Sequence, residues 1–219
     1  MTQAPMNRDD RITLYYSPQT RAGGTRVLLE ELGAPYDLHV LNMKAGEQRK
    51  PAYLAINPLG KVPAIGHRGQ LVTEQVAIYI YLADLFPQAG LTPAIDDVRR
   101  GPYLRWISYY GSSFEPALID RAMKREPAPA TQSPYGDYDT MLGALQAQLS
   151  KGAYLLGERM TAADVLWGTA LNWTMMFGLV PKNDVFTAYT ERMIARPAFK
   201  KVTVEDAELA AQHAAAVGS

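Results

Sequence analysis

The chain has 219 residues, 47% hydrophobic and 20% charged, an ordinary balance for a globular protein able to bury one large core or two small ones. Lys+Arg and Asp+Glu are both 22, and this zero net charge argues against nucleic-acid or membrane-surface binding driven by bulk electrostatics, leaving only a local basic patch. The absence of cysteine excludes disulfides, thiolate metal sites and a cysteine nucleophile, and His39, His67 and His213 lack metal-ligand spacing.

In chain order, residues 1–10 have no apolar signal core and read as a disordered tail. "ITLYY" predicts a first strand, stopped by Ser17 and Pro18. "TRVLLEELGAPY" predicts a helix with Val27, Leu28 and Leu32 on one face and Gly33 as its stop. "DLHVLN" is a second strand, and "NPLGKVPAI", "GHRGQ" and "LVT" give two short strands joined by a turn containing Gly69. "EQVAIYIYLADLFP" is a helix ended by Pro87. Residues 11–86 thus read β-α-β then β-β-α, a small α/β layer. Residues 87–96, "PQAGLTPAID", form a linker.

From 97 to 219 the pattern is helical throughout. One long helix or a kinked pair runs from 96 to 123, "REPAPATQSPYGD" is a loop, and further helices are expected near 137–150, 161–177, 183–195 and beyond about 205. The apolar stretch 165–180 is interrupted by Gly168, Thr169, Asn172 and Thr174 and is too short to span a bilayer. A cytoplasmic location is therefore expected. Thr161 and Asp164 have the three-residue spacing of a capping box, a folding role.

Three segments, in this order and spacing, give the chain a resemblance to the glutathione transferase family over nearly its whole length. "NPLGKVPAI" is similar to the turn in which the bond before proline, here Val62–Pro63, is cis. "LVTEQVAIYIYLADLFP" resembles the junction that holds the γ-glutamyl end of glutathione, and "ERMTAADVLWGTAL" resembles the opening of the core helix of the second domain. The resemblance implies a thioredoxin-like domain at 11–86 followed by an all-helical domain at 97–219. It also implies glutathione as co-substrate, no metal, a small-molecule electrophile as partner, and a homodimer with Arg99 and Arg100 at its interface. The implied reaction is conjugation of glutathione to the electrophile, with reduction of peroxides or disulfides as a further activity. A binding or regulatory protein of the same fold without turnover is the alternative.

The same resemblance distributes roles. The backbone of Val62, flanked by Lys61 and Pro63, pairs with the peptide-like ligand as an added strand would. Glu74 meets the glutamyl ammonium at a helix start that favours the α-carboxylate. Gln75 stands where the family commonly has serine. Lys44 meets the glycyl carboxylate. In the strand-to-helix corner "YYSPQTRAGG", class patterns place the thiol activator on different residues: Thr20 is the first choice, with Tyr15, Tyr16 and Ser17 as alternatives and Arg21 as a cationic reserve. Glutathione supplies the sulfur, so the corner needs only donors that favour the thiolate. Trp106, Tyr110 and Phe114 recur at helical spacing. With Tyr109 and Ser113 they either border the electrophile pocket or form core.

Overall fold

The computed structural model describes residues 11–126 and 128–217, so the expected tail at 1–10 lies outside the described residues. β1 (Ile12–Tyr16) buries alternate residues, Ile12, Leu14 and Tyr16, on the face covered by α1 (Ala22–Leu32). α1 turns its own buried row, Val27, Leu28, Leu29 and Leu32, inward, and it ends where Gly33 turns left-handed (φ 62°). β2 (Tyr36–Val40) pairs parallel with β1. After α2 (Pro51–Leu54), β3 (Ala64–His67) and β4 (Gln70–Val72) form a hairpin, with β3 antiparallel to β1. The hairpin turn uses Arg68 (φ 49°) and Gly69 (φ 74°), the left-handed pair of a type I′ turn. The sheet order is β2-β1-β3-β4, and α3 (Gln75–Leu85) buries Ile78, Tyr79 and Leu82. This is the thioredoxin-like layer that the strand and helix order implies.

The helical unit begins with α4 (Arg100–Tyr109), which continues through a π turn at Tyr110–Phe114 into α5 (Glu115–Ala122). Pro116 explains the π turn. It has no N–H to give the carbonyl four residues back, and its ring would clash there, so one wide turn absorbs it. The Glu115 N–H reaches back five residues to the Tyr110 carbonyl. α6 (Tyr138–Leu149), α7 (Ala162–Met176) and α8 (Asp184–Ile194) follow. The ring of Trp167 on α7 is the centre of this core, with Trp106, Tyr109, Tyr110 and Phe114 around it at centroid distances of 4.8–6.4 Å. At the start of α7 the expected capping box is formed. Asp164 accepts from the N–H and hydroxyl of Thr161, and also from the Leu155 N–H and the Tyr189 hydroxyl.

The domain expectation changes at the C-terminus. The last helix, α9 (Pro197–Ala215), groups with the sheet unit, which comprises the described residues up to Leu82 and those from Pro197 onward; the helical unit runs from Ala83 to Arg196. Helical periodicity alone does not say which layer a helix joins. Ion pairs do here: Arg26 on α1 pairs with Glu205, and Glu30 with Lys201 at 2.8 Å. α9 also starts earlier than about 205, because Pro197 both follows the end of α8 and suits a first helical turn.

Candidate functional site

Sheet register assembles the site. Tyr15 is opposite Ala64, so the cis Val62–Pro63 bond lies beside the end of β1 and the residues that follow it. The Leu41 N–H donates to the Tyr16 carbonyl at 2.8 Å, bringing the segment after β2 to the same edge. The amide of Gln75 donates to the Arg21 carbonyl at 3.5 Å, tying the start of α3 to the start of α1. Ser17–Arg21, Val62–Pro63 and Glu74–Gln75 therefore converge at the carboxyl end of β1. Open α/β sheets commonly bind ligands outside the carboxyl ends of their strands.

Within the corner the alternatives separate. Tyr16 is fully buried, and its hydroxyl donates to the carboxylate of Asp206 on α9. Burial and that carboxylate push the phenol far above its ordinary value, so it stays protonated. Tyr15 points to the other face of the sheet, where its ring meets His39 at 5.1 Å and Tyr53 of α2 at 5.6 Å. That face opens into a cavity of about 330 Å³ lined by Tyr15, Arg11, Ile56 and the β3–β4 hairpin. Ser17 is buried, and its carbonyl accepts from the Thr20 hydroxyl at 2.7 Å. Thr20 is half-buried and also accepts from the Ala22 N–H at 3.2 Å, a turn that opens α1. Arg21 is half-buried at the same turn.

Around the corner, Glu74 is exposed and holds a left-handed backbone (φ 64°), while its carbonyl accepts the first bond of α3 from Ile78 at 2.9 Å. Val62 is half-buried, and its backbone N–H and C=O have no partner among the described residues. Lys61 and Lys44 are exposed. Two residues not singled out from the sequence hold the turn before Pro63. Tyr53 and Asn57 both donate to the Lys61 carbonyl, at 2.7 and 2.9 Å. Gly60 (φ 59°) completes that turn, because a Cβ there would sit 2.6 Å from the Gln48 carbonyl oxygen. Asp206, which bonds Tyr16 and Gln19, is a third residue not singled out from the sequence. Its partners are nearly two hundred positions away, so no local pattern marks it.

The aromatic stripe of the helical unit is core. Trp106, Tyr110, Ser113 and Phe114 are buried, and the Tyr110 hydroxyl is engaged by Glu115. Of the four residues expected at an electrophile pocket, only Tyr109 keeps partial exposure, with its hydroxyl donating to the Met141 carbonyl at 3.1 Å. Tyr110, Ser113 and Phe114 are thus packed into the helical unit. All three lie in the π turn, where Tyr110 and Phe114 pack their rings on Trp167.

Comparison with known proteins decides the family. Residues 11–84 match the family model of the glutathione S-transferase N-terminal domain, and residues 116–197 match that of the C-terminal domain. The chain belongs to the glutathione S-transferase family. The glutathione S-transferase GstA of Escherichia coli O157:H7 is 27% identical over 187 residues, covering 84% of this chain and 93% of that one. The glutathione S-transferase GST-4.5 of Xanthomonas campestris pv. campestris is 28% identical over 191 residues, covering 83% and 92%. Among solved structures, a glutathione transferase from Methylococcus capsulatus superposes with a TM-score of 0.76 at 28% identity, covering 90% of this chain and 98% of that one. A glutathione transferase homologue from Sulfitobacter with bound glutathione gives 0.72 at 27%, covering 89% and 98%. No group of three or more His, Asp or Glu side chains among the described residues is placed to hold a metal ion. No described helix is long and apolar enough to cross a membrane.

Proposed function

We propose that this chain is a glutathione-dependent transferase that joins the glutathione sulfur to a small electrophile. The observation that carries the reading is the convergence, at one end of β1, of the unpaired Val62 backbone, the Glu74 carboxylate at the start of α3, and the Thr20 turn. Each offers what one part of the tripeptide needs. The Val62 N–H and C=O pair with its central backbone. The start of α3 attracts the glutamyl carboxylate while Glu74 meets the ammonium. Gln75 takes the serine position of the family, with its amide already directed at the Arg21 carbonyl. Lys44 and Lys61 supply cations on the exposed rim, Lys44 for the glycyl carboxylate.

For the chemistry, the thiol loses its proton and the thiolate attacks an electrophilic carbon, from which the leaving group departs with its electron pair. Thr20 is the side chain we assign to thiolate stabilisation, its hydroxyl turning from the Ser17 carbonyl to the sulfur, with Arg21 adding positive potential. Tyr16 is committed to Asp206 and supports the corner from beneath. Tyr15 belongs to the opposite sheet face. Reduction of peroxides or disulfides by the same thiolate is a second activity of this site. Tyr109 is the residue of the aromatic stripe we retain for the electrophile. We further propose a cytoplasmic homodimer. Arg99 and Arg100 are candidates for its interface, each also paired within the chain, Arg99 with Asp97 and Arg100 with Asp84.

Retention on immobilised glutathione combined with conjugation of a generic aryl halide tests the reading. Retention with turnover is expected. Retention without turnover would support a binding protein instead, and absence of both would refute the site.

A further inference from the structure

The loop between β1 and α1 is held by a residue from the far end of the chain. Asp206, on α9, accepts from the Tyr16 hydroxyl through one carboxylate oxygen, and from the Gln19 backbone N–H through both, at 3.2 and 3.1 Å. Gln19 is exposed and left-handed (φ 57°), a conformation a non-glycine residue keeps only where its surroundings over-determine it. The next residue is Thr20. α9 is itself anchored just ahead of Asp206, by Arg26 to Glu205 and by Glu30 to Lys201, so the carboxylate is delivered by a tethered helix. Asn42, in the loop that carries Lys44, also donates to α9, at the His213 carbonyl.

We propose that Asp206 is a positioning residue for the thiol corner, setting the Gln19–Arg21 turn, and so the Thr20 hydroxyl, relative to the glutathione sulfur. This rests on the transferase reading above. Asp206 is assigned no contact with either substrate. It acts through Tyr16 and Gln19, which makes the last helix a wall of the glutathione site. A small displacement of a group that must meet a reacting atom costs rate more than binding, because the ligand's other anchors are untouched.

The test compares Asp206→Ala, Asp206→Asn and Lys201→Ala in the full chain. Asp206→Ala is expected to lower kcat at saturating glutathione about tenfold or more while glutathione affinity changes less than about threefold, and to speed amide exchange at Gln19. Asp206→Asn keeps an oxygen that can accept from both Tyr16 and Gln19, so it should restore most of kcat. Lys201→Ala removes an exposed tie while Arg26–Glu205, next to Asp206, still holds α9, and should leave kcat near wild type. Wild-type kcat in Asp206→Ala overturns the proposal, and a higher kcat would make Asp206 an obstructing carboxylate. Equal loss of kcat and affinity without rescue by Asn overturns it in favour of a purely structural role. If the wild-type chain neither binds nor turns over glutathione, the transferase reading fails and takes this proposal with it. A working wild type indifferent to Asp206 sinks the proposal alone.

Discussion

Glu74 combines a left-handed backbone (φ 64°) with an exposed carboxylate, so substitutions there separate folding from binding. A non-glycine residue in that conformation costs about 1–2 kcal/mol. Glycine removes the cost but gains roughly 0.4–1 kcal/mol of unfolded-state freedom. Glu74→Gly should therefore be about 0.5–1 kcal/mol more stable than Glu74→Ala, read from urea midpoints. Both variants lose the partner proposed for the glutamyl ammonium. A hydrogen bond to a charged group is worth about 1.5–3 kcal/mol, which converts to roughly 13- to 160-fold in affinity at about 1.36 kcal/mol per tenfold. Calorimetric titration with glutathione measures it. Both variants should bind weakly while the glycine variant melts later, a combination that general unfolding does not produce. Less than a twofold change in affinity with the fold intact would show that Glu74 does not meet the ammonium. An alanine variant as stable as the glycine one would refute the backbone argument.

Three further outcomes are expected. Thr20→Val removes the hydroxyl but keeps the shape, so turnover at pH 7 should fall about tenfold and the loss should shrink by pH 9, where a thiol of pKa about 8.5 ionises unaided; an unchanged pH–rate profile would move the role to Arg21 or the backbone. Asp164→Ala strips the acceptor from four donors, each orphan costing about 1 kcal/mol or more, so chemical denaturation should show a loss of at least about 4 kcal/mol; less than about 1 kcal/mol would contradict the buried network. Arg100 lowers the Asp84 carboxyl below its ordinary 3.8, chiefly by hydrogen bonding. A depressed folded-state value gives stability that is present above the ordinary pKa and lost as pH falls through the folded one. Arg100→Gln should therefore cost about 0.5–1 kcal/mol at pH 7 and progressively less as pH falls through the folded-state value of Asp84, and a cost that does not shrink on acidification would refute the pairing.

Local chemistry made much of the fold legible in the sequence. Gly33, the Arg68–Gly69 turn and Thr161 with Asp164 each act within a few residues of their partners, and the elements they bound are found. The cis Val62–Pro63 bond came from family likeness, since nothing in a Val-Pro pair alone requires it. The aromatic stripe was ambiguous because core and pocket share one helical period; Tyr110, Ser113 and Phe114 are buried in the π turn ahead of Pro116. Least legible were the groups that meet across the chain. Asp206 with Tyr16, Glu205 with Arg26, and Asn57 with the Lys61 carbonyl depend on which layers come together, and composition does not encode that.

The placement of α9 has a consequence for synthesis. The sheet and its first three helices leave the ribosome early, but their unit is completed by residues translated after the whole helical unit. Until then Arg26 has its Tyr36 hydroxyl partner at 3.2 Å but lacks the Glu205 carboxylate that accompanies its burial. The nascent sheet unit therefore waits, with α1 open to solvent along the strip that α9 will cover. A chain ended after Arg196 would never leave that state. Its deficit would appear in the sheet unit, far along the sequence from the cut.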